Sequence, residues 1–346
     1  MKKLLILILL PFSLTSYGQG LLFEKAEFEK GNVLELDRAY TPSSYSLERY
    51  APLPYAQSGG TCVAHAFTNA RTILLAKQLQ ITNAKAKLAL LFSPFHFYYK
   101  AKSTGDNNCK QGLNLMAAAK HAMNLGYCPM YYVENDTYYP FSNIKLCDNS
   151  NYTFSSSKNN SIAGKYKLQD IYTVSNLKQI RYAISQGMPV VVGMAIPTSF
   201  ENCTTKSWAP KYYESPKVSY KHAMLCIGYD DNYLGGAFRI MNSWGTRWGD
   251  NGFIWVRYSD LAKWTYGGVA LKNKYVLTRG TKQNENDSKT IEESELETDL
   301  KNNLKTALSE KNSELTQEGD KIIEVVTEEG RPPRKTNIDI FKRVFD

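Results

Sequence analysis

Apolar residues recur at spacings of three and four from Cys62 to about Leu79, at Val63, Ala66, Phe67, Ala70, Ile73 and Leu74. That spacing predicts an amphipathic helix. The stretch before it, "PLPYAQSGGT", is rich in proline and glycine and predicts a loop. A second helix is predicted from Pro94, with Ser93 as its N-cap. A third runs through "GLNLMAAAKHAMNLG" and stops at Gly126. The polar, turn-rich run from Tyr138 to Gly164 predicts a long surface loop. Beyond it the period changes. "YKLQDIYTV" alternates like a strand, "NLKQIRYAISQG" has the pattern of a short helix, and "MPVVVGMAI" that of a buried strand. "KHAMLCIGYDD", "GAFRIMNSW" and "GFIWVRYSD" predict three more strands joined by tight turns. Helices lead and strands follow, which predicts an α+β fold in two lobes.

Composition adds limits. The chain has 346 residues, 43% apolar, enough for one large or two medium cores. Its first residues, "MKKLLILILLPFSLTSYGQG", have the layout of a secretory signal peptide over residues 1–18, cleaved near Gly18–Gln19. The apolar run there is too short for an integral membrane span and no second long one follows, so the expectation is a soluble, secreted or periplasmic protein. Residues 19–50 form a short mixed leader. From Arg279 to the end, residues 279–346 are a charged tail, partly helical or disordered, with Leu296, Leu300, Leu304 and Leu308 spaced for one helix. The net charge is +9; the tail carries about 12 basic and about 16 acidic residues, leaving about +13 on the body. No basic cluster interleaves with aromatics, so a nucleic-acid partner is not expected.

Six cysteines suit one or two bridges plus free thiols. Cys62 is the informative one. At a helix start it meets free backbone N–H groups and the positive end of the helix dipole, which stabilise a thiolate. The alternatives are a buried inert thiol and half of a disulfide. A nucleophile needs a proton partner, and there are four histidines. His65, His96 and His121 lie within helical patterns and read as packed or solvent-facing. His222 opens an apolar strand, on which its position would be fixed. Asn242 ends another strand about twenty residues on, and an amide oxygen can hold an imidazole without adding charge. Trp244 and Trp248 could shield that bond. A turn with structural aromatics explains the same block equally well.

"SGGTCVAHAF", "HAMLCIGYDD" and "NSWGTRWGDNGFIWV" together resemble the three active-site blocks of the papain-like cysteine peptidases, in the family's order. "FSPFHFYY", "CKQGLNLMAAAKHAMNLGYCPM", "YYPF" and "AISQGMPVVVGM" extend the likeness over roughly residues 50–278. The resemblance implies a peptidase domain over 51–278, with a helical lobe over about 60–165 and a β-barrel-like lobe over about 166–278. A peptide or protein substrate would lie in the cleft between them. It implies Cys62 as nucleophile, His222 as its base, Asn242 as orienter and Trp244 as cover, with a thioester intermediate and neither metal nor cofactor. Gln57 and the Cys62 N–H would hold the oxyanion. Gly112 would pair with the substrate backbone.

Departures from the family are visible. Gln57 stands five residues before Cys62 where the family usually has six. Gln111 replaces the first glycine of the Gly112 pair, which would narrow or redirect the cleft. Val63 stands where a tryptophan is usual, and His65 where an aromatic is common. Cys109 lacks its usual partner, leaving a Cys109–Cys147 bridge open; Cys226 reads as a buried thiol, and Cys128 and Cys203 are unassigned. The leader is too short for a folded inhibitory pro-segment, so restraint is expected elsewhere, such as the tail, which otherwise serves as linker or partner-binding segment. Two rival readings stand beside hydrolysis: a non-proteolytic binding protein on the same fold, and acyl transfer to an amine.

Overall fold

The computed structural model describes residues 20–37, 40–88, 90–106, 109–130 and 157–273, and three tail strands. The leader holds β1 (Leu21–Leu22), α1 (Lys25–Phe28) and β2 (Ser44–Ser46). The first lobe is built from α2 (Cys62–Gln78), α3 (Ala84–Leu88), α4 (Pro94–Ala101), β3 (Leu113–Asn114), α5 (Leu115–Asn124) and α6 (Ser157–Gly164). The second has β4 (Asp170–Val174), α7 (Leu177–Ser185), β5 (Val190–Ile196), α8 (Thr198–Glu201), β6 (Ser207–Trp208) and β7 (Tyr220–Asp230). β8 (Ala237–Met241), β9 (Phe253–Arg257), α9 (Tyr258–Trp264) and β10 (Thr265–Lys272) complete it. In the tail, β11 (Ser313–Glu318), β12 (Lys321–Val326) and β13 (Arg334–Asn337) pair antiparallel. The expected signal peptide, the leucine-spaced tail helix and Cys147 lie outside the described residues.

Helix starts follow their caps. Ser93 Oγ accepts from His96 N, Asn114 Oδ1 from Met116 N and Ala117 N, and Asn176 Oδ1 from Gln179 N. α2 differs from the one-sided helix expected. Every residue from Cys62 to Ala76 is buried. The helix lies inside the molecule, so its polar positions are buried too. Thr68 and Thr72 spend their hydroxyls on the carbonyls of Ala64 and Thr68, four residues back. The surface loop expected up to Gly164 ends instead in α6.

The main sheet runs β4-β10-β5-β7-β8-β9-β6, with β2 also on β7. All its pairings are antiparallel except β6 with β9. It is open, not a closed barrel: β4 and β6 are its ends. β10 escaped the sequence pattern because two adjacent glycines, Gly267 and Gly268, interrupt it. There are two apolar clusters, and the first reaches from α2 onto the sheet through Leu225 and Val269. One gathers Phe67, Ile73, Phe97 and Tyr127 around α2; the other gathers Ile180, Met194, Phe238 and Trp264 on the sheet. The leader is built into both lobes, since β1 pairs with β3 and β2 with β7.

Candidate active site

Register sets the base side. β7 lies between β5 and β8, and His222 faces Met194 across the first pairing. β8 ends at Met241, so Asn242 leaves the sheet beside β7. His222 Nε2 and Asn242 Oδ1 stand 2.8 Å apart. The same Oδ1 accepts from Ser243 N at 2.8 Å. Trp244 stacks on the imidazole with centroids 4.7 Å apart, and Trp248 meets Trp244 edge-on. All three rings are buried. Burial pulls the His222 pKa down to about 4, against the raising effect of the Asn242 bond.

Cys62 opens α2, as its spacing predicts. Its N-cap, Thr61, does not cap: Thr61 Oγ1 turns back to donate to Ser58 O at 2.8 Å. The Thr61 side chain therefore leaves the first-turn N–H groups to the thiol. The thiol is fully buried. Burial pushes its pKa up to about 12, partly countered by backbone hydrogen bonds from Ala223, Val63 and Gly20. Ala223 follows His222, so the thiol and the imidazole belong to one locus.

Gln57 is bound to the other side of the same chain. Its N donates to Ser243 O at 2.7 Å, and its Oε1 accepts from Ser243 Oγ at 2.6 Å. Ser243 thus joins Gln57 to Asn242, a link the sequence reading lacked although the residue stands next to Asn242. Gln57 Nε2 donates to Gly59 O at 2.9 Å, which uses one of its two N–H groups.

His65 is buried beside Tyr55 and Phe95, and its Nδ1 lies 3.0 Å from Thr61 O. Desolvation lowers its pKa to about 4. Gln111 lies one residue before Gly112. Its exposed amide folds back onto Ser103 and Gly105. Cys109 is disulfide-bonded, and its carbonyl accepts from Gly60 N at 2.6 Å, bracing the loop before Cys62. Cys128, Cys203 and Cys226 are buried and outside any disulfide.

The largest departure is the leader. Gly20 lies so near the thiol that a Cβ built on it would stand 2.7 Å from Cys62 Sγ and 2.3 Å from Gly60 O. Leu113 N donates to Gly20 O at 2.9 Å, and β1 continues parallel to β3. Restraint was expected elsewhere, such as in the tail; the segment described against the Cys62 thiol is the leader at Gly20. Two glycines, Gly20 and Gly112, let the backbones come this close. A Cβ on Gly112 would meet Gly20 O at 2.4 Å, and Gly112 has a φ of +81°.

Two lobes with a thiol at a helix start and an imidazole–amide pair opposite define a cysteine-peptidase architecture. The papain family cysteine protease pattern matches residues 60–267. The chain belongs to the papain family of cysteine proteases and is by family a cysteine-type peptidase. An uncharacterised peptidase C1-like protein of Acanthamoeba polyphaga mimivirus is 32% identical over 90 residues. That match spans 25% of this chain and 28% of the viral protein's length. Among solved structures, xylellain, a cysteine protease from Xylella fastidiosa, superimposes with a TM-score of 0.59 at 21% identity. The superposition covers 75% of this chain and 97% of xylellain. Procathepsin B from Trypanosoma congolense gives 0.57 at 15% identity, covering 75% and 87%. At these identities the solved structures speak for the fold. Among the described residues, no helix is long and apolar enough to cross a membrane.

Proposed function

We propose that this protein hydrolyses peptide bonds through Cys62, His222 and Asn242. The observation that carries this reading is the buried His222–Asn242 bond under Trp244, with the next backbone unit, Ala223, on the Cys62 thiol. In the reaction, His222 takes the thiol proton and the thiolate attacks the substrate carbonyl carbon. The oxyanion is held by Cys62 N–H and the remaining N–H of Gln57. His222 then gives its proton to the leaving amine as the C–N bond breaks, leaving a thioester. Water, deprotonated by His222, releases the acid and restores the thiol. Asn242 keeps the imidazole aligned throughout.

The form described is a closed one. With Gly20 over the thiol, burial favours neutral thiol and neutral imidazole, and removal of the leader from the cleft would rehydrate both. The disulfide at Cys109 supports an exported location.

The test is labelling with an epoxide-type thiol inhibitor, with the adduct located by mass spectrometry. The expected result is an adduct on Cys62 that is lost in His222→Ala. Absence of a Cys62 adduct at neutral pH under mild reduction, both in the native chain and in a Gly20→Phe variant, would overturn the proposal.

A further inference from the structure

We propose that Tyr98 and Asp106 are positioning residues that fix the cleft edge at Gly112–Leu113 in the register that reads an extended peptide backbone. The assignment rests on the proposed peptidase reading. Tyr98 lies on α4 and is fully buried, as is Asp106 in the loop that follows. Tyr98 Oη donates to Asp106 Oδ2 at 2.5 Å and accepts from Gly112 N at 2.9 Å. The other carboxyl oxygen of Asp106 accepts from Lys110 N at 3.2 Å. Lys102 Nζ bonds the Asp106 carbonyl. Lys110 and Gly112, on the described approach to β3, are thereby tied to one phenol–carboxyl pair. Burial and the neighbouring carboxyl raise the phenol's pKa, so it remains an O–H donor toward Asp106 and keeps a lone pair for Gly112.

This bond decides which backbone groups face the cleft. Gly112 N–H points inward to Tyr98 and cannot serve a peptide in the cleft. The next donor along, Leu113 N–H, is the one that already holds a backbone carbonyl, that of Gly20. The family likeness alone would give the pairing to Gly112. Here the structure assigns the N–H to Leu113 and leaves Gly112 as the residue whose missing side chain admits the visiting backbone. Removing the Tyr98 hydroxyl would strand Gly112 N–H in a buried setting, which costs enough to turn the Gln111–Gly112 peptide.

The test compares kcat/KM for two chromogenic substrates in the full chain, one with a single acyl-side residue and one with three. Leader occlusion multiplies both values by the same open fraction, so their ratio is blind to it. General loosening of the fold would also scale both alike. Wild type should favour the longer substrate, and Tyr98→Phe should cut that preference about tenfold, the equivalent of one hydrogen bond. Asp106→Ala, which removes the acceptor that orients the Tyr98 hydroxyl, should behave like Tyr98→Phe. An unchanged ratio in folded Tyr98→Phe, or in Asp106→Ala should the first fail to fold, overturns the assignment. A wild type that labels at Cys62 and shows no length preference also overturns it while leaving the peptidase reading intact. A wild type that neither labels nor cleaves overturns both.

Discussion

The two walls of the cleft are built in different ways. On the sheet side, His222, Asn242 and Trp244 come from two adjacent strands and the turn beyond, and one antiparallel register places them. On the helical side, Gly20, the stretch from Gln57 through Gly60 to Cys62, and the stretch from Tyr98 through Asp106 to Gly112 are three separate parts of the chain. They are joined by close backbone approach and by single hydrogen bonds. A ladder of paired strands moves as a unit. A wall assembled from loops and one short strand can lose a member without unravelling. On the proposed mechanism, the His222 side is therefore preset, and access to Cys62 is the adjustable part.

The harshest challenge to that contrast is Gly20→Phe. A side chain at this position has no room against Gly60 O and Cys62 Sγ, so β1 has to leave the edge. Iodoacetamide alkylation of Cys62 should accelerate by at least about tenfold, the factor that corresponds to ~1.4 kcal/mol of lost leader contact. The pH dependence should change as well. In the native chain the thiol is held up to about 12, so alkylation should keep rising with pH through the alkaline range. With the thiol rehydrated its pKa falls toward the ordinary range near 8.5, and the rate should level off earlier. Equal rates and equal pH profiles in the two proteins would show that the leader does not guard the thiol.

A change on the sheet wall should act differently. Asn242→Ala removes the acceptor for His222 Nε2 and the partner of Ser243 N. Turnover should fall roughly 10–100-fold, short of the full contribution of a general acid–base. Alkylation by a small reagent should change far less, because the leader still covers the thiol. If alkylation accelerated as much as in Gly20→Phe, the two walls would not be independent.

This division also explains what could be read from the sequence. On the sheet wall, alternation gave the strands that carry His222 and lead into Asn242, but their pairing rested on the family resemblance, since a turn with structural aromatics explained the same block. The loop-to-helix transition gave the place of Cys62 at the start of α2, and the resemblance alone gave it a role. Ser243 was adjacent to a recognised residue yet carries no signal of its own, since a serine after Asn242 could face either way. The leader was missed because two residues of β1 have no periodicity, and pairing with β3 ninety residues away leaves no local mark. Tyr98 was hidden for a related reason. In a buried aromatic helix, "PFHFYY", nothing in the spacing distinguishes a hydroxyl that is spent on Gly112 from one that is merely packed.

The mildest change tests the choice of base itself. His65 lies one turn beyond Cys62 on the same helix and is the obvious rival to His222. Its Nδ1 is committed to Thr61 O and its ring is enclosed by Tyr55 and Phe95. His65→Ala should therefore leave turnover within a few-fold, with the acid limb of the pH–rate profile unmoved. The cost belongs to stability, roughly 2–4 kcal/mol for an emptied buried site. Its pH sign is fixed as well. His65 has a folded pKa of about 4, below its ordinary value of 6.5. The unfolded chain therefore binds the extra proton, and stability complete above about pH 6.5 is lost as pH falls toward 4. Deleting the imidazole removes that share, so the variant should lose less stability than wild type between pH 6.5 and 4. A folded His65→Ala whose kcat collapses, or whose acid limb shifts, would transfer the base from the sheet wall to the helical wall, and the contrast between a preset base and a guarded nucleophile would fail with it.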